Sequence, residues 1–160
     1  MSGVGGPTEQ PVPNGAGLKV AIVASSWHAD VMAGLISGAL ALCAQAGVGI
    51  DVIRVPGAFE LPVVAAAYAN TYDAVVALGV VIRGGTPHFE FVAKAATDGL
   101  TRVALDSGKP IGFGLLTCDD SAQALDRAGL PGSSEDKGRE AALAAITTAL
   151  LLRDARPRSL

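Results

Sequence analysis

Residues 73–82, DAVVALGVVI, constrain the fold more than any other stretch of the chain. After the opening aspartate the run is apolar without alternation and rich in valine. An alternating strand buries one face; this one must bury both, which is the position of a central strand in a parallel sheet. The flanking segments agree. Residues 18–25 (LKVAIVAS), 50–55 and 111–117 read as three further strands. Helical segments lie between them: one beginning near Val31, one over 59–69 and one over 89–106. Short helices follow the fourth strand, and a long one runs from about Ser134 to Arg153. Strand–helix alternation of this kind places helices on both faces of a parallel sheet. We therefore expect an α/β fold, a three-layer α/β/α sandwich around a central four-stranded parallel sheet. The 160 residues suit one domain over 18–160. Residues 1–17, with Pro7, Pro11 and Pro13, read as a flexible N-terminal arm able to add a strand to a neighbour.

Two helices carry their own signals. Residues 31–50 hold no charge and are about long enough to span a bilayer. Their larger apolar residues recur as Val31, Met32, Leu35, Ile36, Ala39, Leu40 and Cys43, a helical stripe with small residues on the opposite face. We expect a buried or interface helix there, and no membrane partner. In the last helix Ser134 is the expected N-cap, with Glu135 and Asp136 in the first turn. Gly138 should mark close packing, since a mid-helix glycine costs about 1 kcal/mol. The run AALAAITTALLL leaves little polar face, so a second buried side should come from another subunit.

Composition removes several functions. Net charge is −3, with no basic stripe of the kind a phosphate backbone demands, so no nucleic-acid partner is expected. Cys43 and Cys118 lie far apart and neither belongs to a CxxC pair, which gives no disulfide or zinc framework. With two histidines and no spaced carboxylate–histidine motif, a metal site is not expected. The first residues lack the basic and apolar regions of a signal peptide, and the expected compartment is the cytoplasm.

Open parallel sheets bind ligands outside the carboxyl ends of their strands. Here those ends read Ser25-Ser26-Trp27-His28, Pro56-Gly57-Ala58-Phe59-Glu60, Arg83-Gly84-Gly85-Thr86-Pro87-His88 and Thr117-Cys118-Asp119. The only tryptophan and both histidines fall at this one edge. Gly84-Gly85-Thr86 is either an ordinary strand-to-helix turn capped by the threonine or an anion cradle of free N–H groups. It is not a Walker loop, and no GxGxxG follows the first strand. His88 is either a surface side chain beside a turn or a proton-transfer group. The start of a helix suits a neutral, proton-accepting ring, whereas a nearby phosphate pushes the other way. Trp27 either fills core space or offers a stacking face to a flat heterocycle. Glu60 either complements a helix dipole or accepts hydrogen bonds from a polyol. Arg127 is either a helix-surface cation or a phosphate clamp. His28 reads as a bystander, and Asp126 as the holder of a structural ion pair.

In order, AIVASSWH (21–28), VPGAFELP (55–62), ALGVVIRGGTPHFEFV (77–92), GFGLLT (112–117), QALDRAG (123–129) and EDKGREAA (135–142) resemble the lumazine synthase family. The resemblance covers essentially the whole chain after the arm, and residues 79–92 are its most specific part. It implies flavodoxin-like layering in a single lumazine-synthase-like domain. It also implies a reaction: 5-amino-6-(D-ribitylamino)uracil condenses with 3,4-dihydroxy-2-butanone 4-phosphate to 6,7-dimethyl-8-ribityllumazine, the penultimate step of riboflavin biosynthesis, without cofactor. Carried over by position, Trp27 would stack on the pyrimidine, and Ala58, Phe59 and Glu60 would bind the ribityl chain. Val80, Val81 and Ile82 would hold the uracil edge, Gly85 and Thr86 the phosphate, and His88 would transfer the proton. Phe113 and Arg127 match positions that the family supplies from the adjacent subunit. The implied assembly is a homo-oligomer, a pentamer or a 60-subunit shell, with riboflavin synthase as a further candidate partner. Two positions depart from the commonest pattern. Position 85, often polar or acidic, is Gly, and position 113, Asn in some members, is Phe.

Two other functions remain open on the sequence. A non-catalytic flavin or lumazine carrier would use Trp27 but would not need a phosphate clamp. A shell-forming structural protein would explain the apolar helices but not the clustered strand ends.

Overall fold

The computed structural model describes residues 10–155. Four strands, β1 (Lys19–Ser25), β2 (Gly49–Val55), β3 (Ala74–Ile82) and β4 (Ile111–Cys118), form one parallel sheet in the order β2-β1-β3-β4. The helices are α1 (Ala29–Ala46), α2 (Leu61–Ala69), α3 (His88–Ser107), α4 (Ser121–Leu125) and α5 (Lys137–Ala155), with a 3-10 turn at Ala58–Glu60 before α2.

Side-chain alternation divides the core into two layers. Val20, Ile22 and Ala24 of β1, with Ala74, Val76, Leu78 and Val80 of β3, pack against α1 and α5. Ala21 and Val23, with Val75 and Ala77, pack against α2 and α3. Residues 74–80 of β3 are buried throughout, as their unbroken apolar run requires. Each such valine contributes about 1.5–3 kcal/mol by leaving water. The edge strand β2 is half-open, and Val52 is exposed.

Helix α1 is the one helix among the described residues long and apolar enough, by length and composition, to cross a membrane. In this fold it lies against α5 and the sheet. Its inner face differs from the expected stripe. Ile36 and Leu40 are only half-buried, while Leu42 and the glycines Gly34 and Gly38 are buried. The small residues face inward because the neighbouring backbone comes close. A Cβ on Gly34 would strike the Ala128 carbonyl, and one on Gly138 of α5 would strike the Leu35 carbonyl. The expectation for Gly138 therefore holds.

The start of α5 needs correction. Ser134 is not its cap. The helix begins at Lys137, and the Asp136 carboxylate accepts the Arg139 N–H at 2.9 Å. Ser134 instead donates its hydroxyl to Asp126 at 2.6 Å and its N–H to the same carboxylate at 3.0 Å. Asp126 is thus held by a serine rather than in the expected ion pair. The carboxylate facing Arg127 is Glu135.

Residues 1–9 of the arm lie outside the described residues, and the rest is seated on the domain. Val12 packs on the α1–α5 core, and the Gly15 N–H donates to the Ala46 carbonyl at 2.8 Å.

Candidate active site at the carboxyl edge of the sheet

Parallel strands deliver their four carboxyl ends to one edge, and most of the residues singled out in the sequence arrive there. Ser26 closes the gap between β1 and β2 by donating its hydroxyl to the Val55 carbonyl at 2.8 Å. Trp27 follows and is 69% exposed, so it does not fill core space. His28 takes a left-handed backbone (φ 59°) at the N-cap of α1, alone among the described non-glycine residues. Its carbonyl accepts the Met32 N–H at 3.0 Å, so its part in the fold is to turn the chain into α1.

After β2, Ala58 is buried and anchors the 3-10 turn, while Phe59 points outward, 64% exposed. Glu60 is half-buried at the junction of that turn with α2. Gly57 lies between this turn and the tryptophan. A Cβ there would stand 3.2 Å from Glu60 Oε2 and 3.8 Å from Trp27 Cδ1 and Nε1. An indole edge and a carboxylate therefore border one small space.

Strand β3 outruns β1. The β1–β3 ladder ends at Ala24 and Leu78, whereas β3 continues to Ile82 against β4 alone. Val80 is buried, and Val81 and Ile82 are half-buried. On their β1 side no strand pairs with residues 79–82 among the described residues, which leaves backbone edge for a ligand.

The turn after β3 carries two glycines, Gly84 and Gly85. Neither Gly84 nor Gly85 has a positive φ, and a Cβ on either would meet nothing within 4 Å. Backbone freedom and close packing therefore both fail to explain them. Thr86 does not cap α3: Pro87 holds the N-cap position without a side-chain bond. The hydrogen bonds among the described residues leave out the N–H groups of Gly84, Gly85 and Thr86. All three residues are exposed, as is His88, the first residue of α3. Backbone N–H groups left free at the start of a helix can receive an anion.

Arg83, which the sequence reading left without a role, organises this turn. Its Nε donates to Asp119 at 2.9 Å, its Nη1 to Glu90 at 3.0 Å, and its guanidinium lies 4.4 Å from the centre of the Phe89 ring. The hydrogen bond from Arg83 holds the Asp119 carboxyl below its ordinary range. A lone arginine ending an apolar strand was the available signal, but its partners lie on two other elements.

Phe113 stands apart from the cluster within one chain. Phe113 is level with Ala77 in the β3–β4 register, five residues short of Ile82, or about 16 Å along the strand. It is 48% exposed on the edge strand. Arg127 follows α4, donating Nη1 to the Gln123 carbonyl at 2.9 Å with Glu135 Oε1 3.7 Å from its Nε. Glu135 also pairs with Lys137, which pairs with Glu140 at 2.8 Å. Among the described residues no group of three or more His, Cys, Asp or Glu side chains is placed to hold a metal.

Comparison with known proteins gives the same direction throughout. Residues 17–153 match the family model described as 6,7-dimethyl-8-ribityllumazine synthase. Proteins of that name are similar over nearly their full lengths. The one from Clavibacter michiganensis subsp. michiganensis is 62% identical over 98% of this chain and 99% of its own. The one from Leifsonia xyli subsp. xyli is 62% identical over 96% and 98%. The one from Frankia casuarinae is 60% identical over 96% and 97%.

Proposed function

The chain belongs to the 6,7-dimethyl-8-ribityllumazine synthase family and has that enzyme activity, and we propose that it carries out the reaction at the carboxyl edge of its sheet. The substrates are 5-amino-6-(D-ribitylamino)uracil and 3,4-dihydroxy-2-butanone 4-phosphate. The uracil's amino group attacks the ketone to give an imine, with loss of water. Proton removal then expels phosphate. The ribitylamino nitrogen closes the ring with loss of a second water. Positioning supplies much of the rate, because holding both substrates makes the condensation effectively intramolecular.

Each strand end has a task in this reading. Trp27 stacks on the pyrimidine, whose edge meets the backbone of Val80, Val81 and Ile82. Ala58, Phe59 and Glu60 receive the ribityl chain. The N–H groups of Gly85 and Thr86 hold the phosphate, and His88 moves the proton. The single observation that carries the reading is the turn at Gly84-Gly85-Thr86. Its glycines are required by neither φ nor packing, and its N–H groups are unspent beside His88. With glycine at position 85 the cradle acts through backbone alone.

Phe113 and Arg127 complete the site from an adjacent subunit, Phe113 against the ring and Arg127 on the phosphate. The distance of Phe113 from the cluster supports this, as do the exposed apolar side chains Val63, Phe91, Leu105 and Leu151. A pentamer, or a shell of pentamers, is the assembly we propose, and the solution mass distinguishes the two. Mixing both substrates with purified protein and following lumazine absorbance tests the reaction itself. A rate no higher than the uncatalysed background overturns it, and leaves a carrier or a structural shell.

A further inference from the structure

We infer that Arg83 is a positioning residue for lumazine formation: its side chain closes the turn bearing Gly85, Thr86 and His88 and ties that turn to the end of β4. This rests on the site assignment above and goes one step beyond it.

The turn has little of its own to hold it. Gly84 and Gly85 have no side chains, Pro87 has no N–H, and no side chain caps α3. A loop of this kind samples many shapes unless its ends are fixed from outside. Arg83 fixes both. It leaves β3 with its N–H on the Cys118 carbonyl at 2.9 Å. Its side chain then reaches over the turn to the far end, where Glu90 and the Phe89 ring receive it. The third contact, to Asp119, adds the first residue beyond β4. Asp119 is itself steadied by its N–H, which donates to Gln123 Oε1 at 3.0 Å. Exposed ion pairs are weak one at a time. Here they converge on one planar group whose fork fits both carboxylates, a geometry lysine cannot reproduce.

The same contacts separate positioning from direct anion binding. One guanidinium charge is matched by two carboxylates, so the cluster offers a phosphate no net positive charge. Arg83 therefore acts through the shape of the cradle.

The test uses full-length Arg83→Gln, Arg83→Lys and His88→Ala, and Arg83→Gln combined with His88→Ala. We expect Arg83→Gln to lower kcat about tenfold, a modest cost for a misplaced group. Inhibition by inorganic phosphate should weaken several-fold, while the KM for the ribityl substrate stays within about twofold. Secondary structure and thermal midpoint should stay close to the parent. Arg83→Lys should recover part of the loss. In the His88→Ala background the Arg83 change should cost clearly less, because its effect runs through the turn. Wild-type kcat and phosphate inhibition in Arg83→Gln, beside a slow His88→Ala, overturn the inference alone. So does an equal loss in both backgrounds. A wild-type rate for His88→Ala overturns the site assignment, and the inference with it.

Discussion

Trp27 and Glu60 border the same glycine, the indole edge and the carboxylate lying 3.8 Å and 3.2 Å from where a Cβ on Gly57 would stand. The backbone of Gly57 is extended, so alanine is conformationally allowed there. Gly57→Ala should therefore leave stability nearly unchanged. It should instead fill the space we propose for the ribityl pyrimidine, raising the KM for that substrate several-fold with little effect on the KM for the phosphate substrate. Steady-state kinetics with each substrate varied in turn checks this. Equal effects on both substrates would place the pyrimidine elsewhere.

An intersubunit site predicts complementation. His88→Ala and Arg127→Ala enzymes should each be slow. Co-assembled in equal amounts, random assortment should restore both residues at about one quarter of the sites. Activity equal to the mean of the two parents would mean that each chain builds its own site.

Gly138 should tolerate no side chain. Alanine gains up to about 1 kcal/mol in helix propensity, but its Cβ would press on the Leu35 carbonyl. Backbone yields less readily than a side chain, and overpacking costs typically 1–3 kcal/mol. Gly138→Ala should thus lower the thermal midpoint by a few degrees. An unchanged or raised midpoint would show that α1 and α5 can separate freely.

Burial pushes the Cys43 thiol from 9.0 up to about 11. Between those values the unfolded chain has lost a proton that the folded protein keeps, so stability falls as pH rises. The contribution is intact below about pH 9 and gone above about pH 11, a loss of roughly 2–3 kcal/mol. Denaturant titrations across this range should show a shallower decline in Cys43→Ala than in the parent. Parallel curves would contradict a buried, protonated thiol.

What the sequence disclosed follows from the range of the forces involved. The central strand was legible because burial on both faces writes an unbroken apolar run, as in residues 74–80. The strand-end cluster was legible because parallel strands all deliver their ends to one edge. The cap of α5 was not. Ser134 and Asp136 are both good caps locally, and the choice was made by Asp126, eight residues away from Ser134. The inward glycines of α1 were misread because a hydrophobic stripe says nothing about how near the next backbone comes. Arg83 was visible as a lone arginine ending an apolar strand, but its role was not, since its partners Glu90 and Asp119 are seven and 36 residues distant.

The most direct measurement of the central claim is kcat and KM for His88→Ala and Arg127→Ala, each against both substrates. His88→Ala should lose about a hundredfold in kcat, in the range of general acid–base catalysis, with both KM values nearly unchanged. Arg127→Ala should raise the KM for the phosphate substrate about tenfold or more and spare that for the pyrimidine. Wild-type-like constants for both variants would contradict a site at the carboxyl edge of the sheet.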